Sequence, residues 1–141
     1  MDPEQLAALL AALRPADDLY DYRFFAMPVN FAFVGSATLQ GVIQTPGDAD
    51  VEVYFLTGNR TSPLVTVTIT EGWAGGRPWM NAPVNIDNII GTAANPFPVG
   101  LAPQILPKNS VLAFELVNTS GAANPVQIVL IGYKRYPKVA Q

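Results

Sequence analysis

The sequence contains no cysteine and no histidine, and only 13% of its 141 residues are charged. Without cysteine there is neither a disulfide framework nor a thiolate metal site, and nothing marks a redox compartment. Without histidine, serine–histidine and cysteine–histidine catalysis drop out, together with the commonest zinc ligand and the usual general base near neutral pH. An enzyme built on this chain would have to run on carboxylates, lysine, tyrosine or a histidine-free metal site. Positive charge is scarce as well. Eight Lys and Arg against eleven Asp and Glu leave a net charge of -3, which disfavours nucleic acid as a partner because that affinity rests on neutralising phosphates. No stretch approaches the roughly 20 uninterrupted apolar residues of a membrane span. What the chain does have is 50% hydrophobic residues within the usual length of one domain, enough for a core without staples. So little charge beside so much apolar character implies a surface partly covered by other protein.

The first fifteen residues, MDPEQLAALLAALRP, carry the pattern of a short α-helix. Asp2 stands at an N-cap, Pro3 at the first helical position and Gln5 three residues past the cap, while Pro15 stops the run. A secretory signal would begin with positive charge; here the first charges are Asp2 and Glu4, so the segment reads as mature structure. Leu6, Leu9, Leu10 and Leu13 recur at helical spacing. An isolated helix of this length is marginal in water, so the leucine stripe needs a partner. A β-sandwich fills its own core, which leaves one end of the sandwich or, preferably, a neighbouring subunit. Residues 16–21, ADDLYD, read as a linker, giving residues 1–21 as helix and linker and residues 22–141 as one β-domain.

From Arg23 the apolar period changes to two. FFAMPVNFAFVG, interrupted by Pro28, reads as a bent or edge strand. SATLQGVIQT sets Leu39, Gly41 and Ile43 against Gln40, Val42 and Gln44. DVEVYFLTG sets Val51, Val53 and Phe55 against Glu52 and Tyr54. LVTVTITE is the clearest alternation, with Val65, Val67 and Ile69 opposite Thr66, Thr68 and Thr70. The intervening TGNRTSP is short enough for a hairpin. Residues 72–109 hold six prolines and predict short strands joined by long crossings. SVLAFELVN places Leu112, Phe114 and Leu116 on one face, and PVQIVLIGYKRY supplies a last long strand. Seven or eight strands with no helix between them predict an all-β fold: an antiparallel β-sandwich of jelly-roll or Greek-key type with one short N-terminal α-helix.

Few residues carry chemistry. Asp48, Asp50 and Glu52 in GDADVE alternate as calcium ligands could, but no calcium-loop spacing is present and a turn entering a strand accounts for them. Asp48, Asp50, Glu71, Asp87 and Glu115 offer no selected pair for glycosidase chemistry. Trp73, Trp79 and Phe97 fall in the loop-rich middle, where they can anchor a protein interface, cap the sandwich or stack on a sugar. Tyr136 sits with Tyr133, Lys134, Arg135 and Lys138 in a basic–aromatic strand end that reads as solvated by default. Asn59-Arg60-Thr61 and Asn118-Thr119-Ser120 match glycosylation acceptors but read as turn chemistry.

The order of segments from Phe24 onward, FFAMPVNFAFVGSATLQGVIQTPGDADVEVYFLTG, PVNIDNIIG, LAPQILPKNSVLAFELVNTSG and VQIVLIGYKRYP, resembles small virion proteins of tailed bacteriophages. It is most similar to the jelly-roll cement (decoration) proteins of the phage head, nearest that of a Bordetella podophage. The resemblance covers nearly all the chain after the helix. It lies in a Gln-bearing strand followed by GDADVEVYFL, and in LPKNSVLAFELVN running into Asn118-Thr119-Ser120 before the last strand. It implies a structural protein on the outer surface of the capsid that ties neighbouring major capsid proteins together, as a homodimer or homotrimer, with no catalytic residue, metal or cofactor. Leu6, Leu9, Leu10, Leu13, Trp73, Trp79, Phe97 and Tyr136 are then the expected partner-binding residues. The rival reading is a carbohydrate-binding jelly-roll module with Trp73 and Trp79 as its stacking platform.

Overall fold

The N-terminal capping pattern forms as its spacing requires. In the computed structural model, which describes residues 2–13 and 19–138, with 10–13 by their backbone alone, helix α1 spans Pro3–Leu13. Gln5 N donates to Asp2 Oδ1 at 2.8 Å and Asp2 N donates to Gln5 Oε1 at 3.0 Å, a reciprocal box that satisfies two amides the helix leaves open. The expected stop at Pro15, and the side chains of Leu10 and Leu13, lie outside the described residues.

Nine strands follow, β1 (Tyr20–Phe33), β2 (Ala37–Gln44), β3 (Asp50–Asn59), β4 (Val65–Glu71), β5 (Val84–Asn85), β6 (Phe97–Pro98), β7 (Gln104–Leu106), β8 (Val111–Asn118) and β9 (Asn124–Pro137), with one 3-10 turn at Ile86–Asn88. The count exceeds the expected seven or eight because the proline-laden middle breaks its pairing into three pieces of two or three residues. β1 begins at Tyr20, inside the segment read as linker.

The pairing is that of a long hairpin rolled up. β1 pairs with β9 in unbroken register from Tyr20 opposite Pro137 to Phe33 opposite Asn124. Next inward β2 pairs with β8, β3 with β6 and β7, and β4 with β5, all antiparallel. Rolling then brings β9 against β3 and β8 against β4. The resulting first sheet runs β1-β9-β3-β6, with β7 also on β3, and the second runs β2-β8-β4-β5. This is the jelly-roll order of a double-sheet sandwich. β1 is an edge strand, as its Pro28 predicts.

Between the sheets lies the main core. It takes Val65, Val67 and Ile69 from β4 and Leu112, Phe114 and Leu116 from β8, all at or below 2% exposure, together with Met27, Val29, Phe31 and Phe33 from β1. The alternations of β2, β4 and β8 therefore point inward as read from the sequence.

Two expectations are corrected. The alternation of β3 breaks at a bulge between Val53 and Phe55. Tyr54 is the extra residue there, so Phe55 leaves the main core for a second cluster on the outer face and Leu56 takes the inner position at 1% exposure. TGNRTSP is not a hairpin either, since β3 lies in the first sheet and β4 in the second. The crossing is held by Asn124, fully buried, whose Oδ1 accepts from Thr61 N at 3.0 Å and Ser62 N at 2.9 Å. Its Nδ2 donates to Ser62 O at 3.1 Å and to Asn118 Oδ1 at 3.2 Å. Asn118 in turn donates to Gly35 O at 2.9 Å and Ala122 O at 3.2 Å, so two asparagines tie three loops at one end of the sandwich. With its amide consumed and 1% exposed, Asn118 serves turn structure, as expected of that triplet.

Candidate functional site

The two outer faces of the sandwich differ in chemistry. On the second sheet, register places Thr66, Thr68 and Thr70 of β4, Gln40, Val42 and Gln44 of β2 and Val111, Ala113, Glu115 and Val117 of β8 outward. That face holds no aromatic ring along β2, β8 and β4, and Gln40 Nε2 donates to Glu115 Oε2 across it at 3.3 Å. Threonine, glutamine and glutamate dominate this surface, although Val42 is 58% exposed on it.

The outer face of the first sheet is aromatic. Because Phe25, Met27, Val29, Phe31 and Phe33 turn inward, the alternate residues Tyr20, Tyr22 and Phe24 turn outward. Tyr22, Phe24 and Tyr54 each meet the Tyr133 ring edge-on, with centroids 6.3, 6.5 and 6.0 Å away, a preferred geometry for aromatic pairs. Arg135 lies over the Tyr20 ring at 4.8 Å and reaches Asp50 and Glu52, each at 3.5 Å. Glu52 is 1% exposed although it faces away from the main core, and it also accepts from Tyr54 Oη at 3.2 Å.

Helix α1 lies on this face. Leu6, 6% exposed, packs with Phe55, Ile131 and Tyr133, and Leu9 packs against the same cluster. Burying one leucine contributes about 1.5 to 3 kcal/mol, enough to hold a capped helix that is marginal alone. Leu6 and Leu9 therefore dock outside the main core, as expected, but on the flank of their own first sheet, which is neither the preferred neighbouring subunit nor an end of the sandwich. Two apolar hollows lie on this face, the first of them beside the helix. One, of about 310 Å³, is lined by Leu6, Phe24, Ala26 and Pro96, and the other, of about 410 Å³, by Phe55, Pro98, Leu101 and Pro103. Phe24 at 50%, Leu101 fully exposed and Ile105 at 38% remain open to solvent.

A cleft of about 350 Å³ lies where the short strands β5, β6 and β7 leave the edge of the sandwich incompletely closed. Phe97 and Val99 enter it from the first-sheet side, and Trp79 from the segment after β4, where Trp79 N donates to Ile69 O at 2.9 Å. Glu71 Oε2 accepts from Trp79 Nε1 at 3.0 Å and its Oε1 accepts from Arg77 N at 3.0 Å. Trp73 packs half-buried on the main core and is not among the cleft residues, so the structure joins Trp79 to Phe97 rather than to Trp73.

Tyr136 is tied into the fold. Its Oη donates to Asp48 Oδ2 at 2.8 Å, and Lys134 Nζ pairs with Asp48 Oδ1 at 3.1 Å. The tyrosine hydroxyl first, then the ammonium, hold the Asp48 carboxyl below its usual range. That tie is complete above the ordinary carboxylate pKa and is lost as the pH falls through the lowered value. Asp50 accepts from Lys108 N at 2.9 Å, and Asp87 pairs with Arg60 at 2.7 Å. The carboxylates of GDADVE are thus engaged by the protein itself, and no group of three metal-ligating side chains occurs among the described residues.

Sequence reasoning passed over Tyr20, Tyr22, Phe24 and Tyr54. The clue was present: DLYDYRFF carries rings in both phases of a period-two strand, which signals two covered faces. Arg77 and Gln104 in the cleft had no such clue.

No protein-family model matches the chain, and no curated protein is similar to it in sequence. Among solved structures, one described as infectious bursal disease virus Gx strain is similar over 87% of this chain with TM-score 0.37 and 11% identity. Another, of the Gt strain, is similar over 87% with TM-score 0.31 and 12% identity. The chain spans 43% and 44% of the length of those two chains.

Proposed function

We propose that this chain is a structural protein of a bacteriophage virion, a cement protein on the outer surface of the head rather than an enzyme. The observation that carries this reading is the asymmetry of the sandwich: a threonine-rich outer face on one sheet, and on the other an aromatic face with α1, two apolar hollows and exposed Phe24 and Leu101. Rings, hollows and exposed apolar side chains brought together on one face mark a protein interface. The resemblance of the segments from Phe24 onward to jelly-roll cement proteins names the partners: the major capsid protein and a second copy of this chain. In this role the first sheet faces the shell, the second faces water, and tying neighbouring capsid subunits raises the temperature at which the head opens.

Heads lacking the protein, incubated with purified protein and then heated, test this. The wild-type chain binds them and raises their opening temperature. Phe24→Glu, at a half-exposed site that the fold tolerates, weakens binding by at least about tenfold, the cost of a charge in an apolar contact. Heads that take up neither protein, or that open at the same temperature with and without it, contradict the proposal.

A further inference from the structure

The cleft beside β6 differs from the two hollows of the aromatic face, because its walls combine rings with a carboxylate, a guanidinium and an amide. We propose that it binds a single neutral hexopyranose unit of a glycan, stacked between Trp79 and Phe97 and hydrogen-bonded by Glu71, Arg77 and Gln104. A pyranose presents an apolar C–H face and a rim of hydroxyls that both donate and accept. It therefore asks for aromatic surface with donors and acceptors set around it.

Each requirement is met by a named group. Trp79 cannot swing freely, since its Nε1 donates to Glu71 at 3.0 Å and its backbone N–H to Ile69 O at 2.9 Å. The same Glu71 carboxylate is fixed from its other oxygen by Arg77 N at 3.0 Å, and each oxygen keeps a lone pair for a hydroxyl. Stacking wall and acceptor are thus preorganised, which spares binding the cost of ordering them. The Arg77 guanidinium supplies donors, and the Gln104 amide, held on β7 opposite Val53, supplies both kinds of group. Leu56, 1% exposed, and Ile89 form an apolar lining. A volume of about 350 Å³ has room for a sugar ring. Glu71 offsets the charge of Arg77, and no other charged residue lines the cleft, which favours a neutral sugar over an acidic one.

The proposal stands apart from the virion reading, because the cleft belongs to the isolated chain, and its test needs no head. The sequence has two tryptophans, so Trp73→Phe leaves Trp79 as the sole tryptophan fluorophore. That variant is titrated with neutral hexoses, their N-acetylated forms and their short oligosaccharides at millimolar concentrations. A saturable change in emission is expected for at least one of them. Arg77→Ala and Phe97→Ala, made at exposed positions and checked for unchanged thermal melting, then weaken it about tenfold or more, the loss expected when one good contact is removed. A panel that gives no saturable change overturns the proposal, as does saturable binding that neither substitution weakens.

Discussion

Gly132→Ala abolishes the native fold or lowers its melting temperature by more than about 10 °C, a destabilisation of about 4 kcal/mol or more in a chain of this size. A Cβ built at Gly132 falls 1.7 Å from the Glu52 carbonyl oxygen and 2.8 Å from its carbon. These are backbone atoms of the neighbouring strand, which cannot rotate away as a side-chain tip can. The close approach arises where the β3 bulge begins, with Val53 opposite Gly132 and the register shifting before Phe55. Relief requires parting β9 from β3 at the middle of the first sheet, loosening both clusters at once. Thermal unfolding followed by circular dichroism measures the effect. Gly35→Ala is the control, since a Cβ at Gly35 meets nothing within 4 Å. Equal melting temperatures for the two variants would show that the β3–β9 contact yields, and with it the account of the bulge.

Asn124→Ala costs about 3 kcal/mol, because it removes a fully buried side chain, leaves the buried Asn118 amide oxygen short of a partner and releases three backbone groups at once. Thr61 N and Ser62 N both donate to the Asn124 oxygen, and Asn118 Oδ1 and Ser62 O lose the Asn124 amide. With them goes the fastening of the crossing from the first sheet to the second. Urea unfolding should show a lower midpoint with an unchanged slope. A shift worth less than about 0.5 kcal/mol, the scatter of an ordinary surface substitution, would mean that water or a relaxed loop replaces the bonds.

How far the fold was legible varies with the range of the forces involved. Local chemistry read well. The box between Asp2 and Gln5 is a three-residue relation, and the alternations around Val67 and Phe114 follow from burial on one face. The class of fold followed from the same patterns and from the absence of helices between strands. Long-range pairing was less legible. Nothing in TGNRTSP distinguishes a hairpin from a crossing, because the decision rests with Asn124 some sixty residues on and with β8 and β9 competing for β4 and β3. The bulge at Tyr54 was hidden for a similar reason. VEVYFL tolerates either phase, and the glycine that permits the close approach lies in another strand.

The candidate site was legible only in its parts. Leu6 and Leu9 were read as needing a partner outside the core, preferably a neighbouring subunit, and they find their own sheet's flank, beside rings that no single segment brings together. Trp79 and Phe97 were singled out together with Trp73, yet only the first two share a cleft, although both tryptophans pack against the main core. Surfaces assembled from distant segments are visible in sequence as candidates and become sites only when the topology sorts them.

Under the proposed function, the aromatic face of the first sheet meets the capsid and the threonine face of the second meets water. A density map of the assembled head at side-chain detail tests it most directly. Phe24, Leu101 and α1 are expected against capsid protein or a second copy, with Thr66, Thr68 and Thr70 facing solvent. The threonine face seated on the shell with Phe24 and Leu101 in open solvent, or a head surface without this jelly roll, would contradict it.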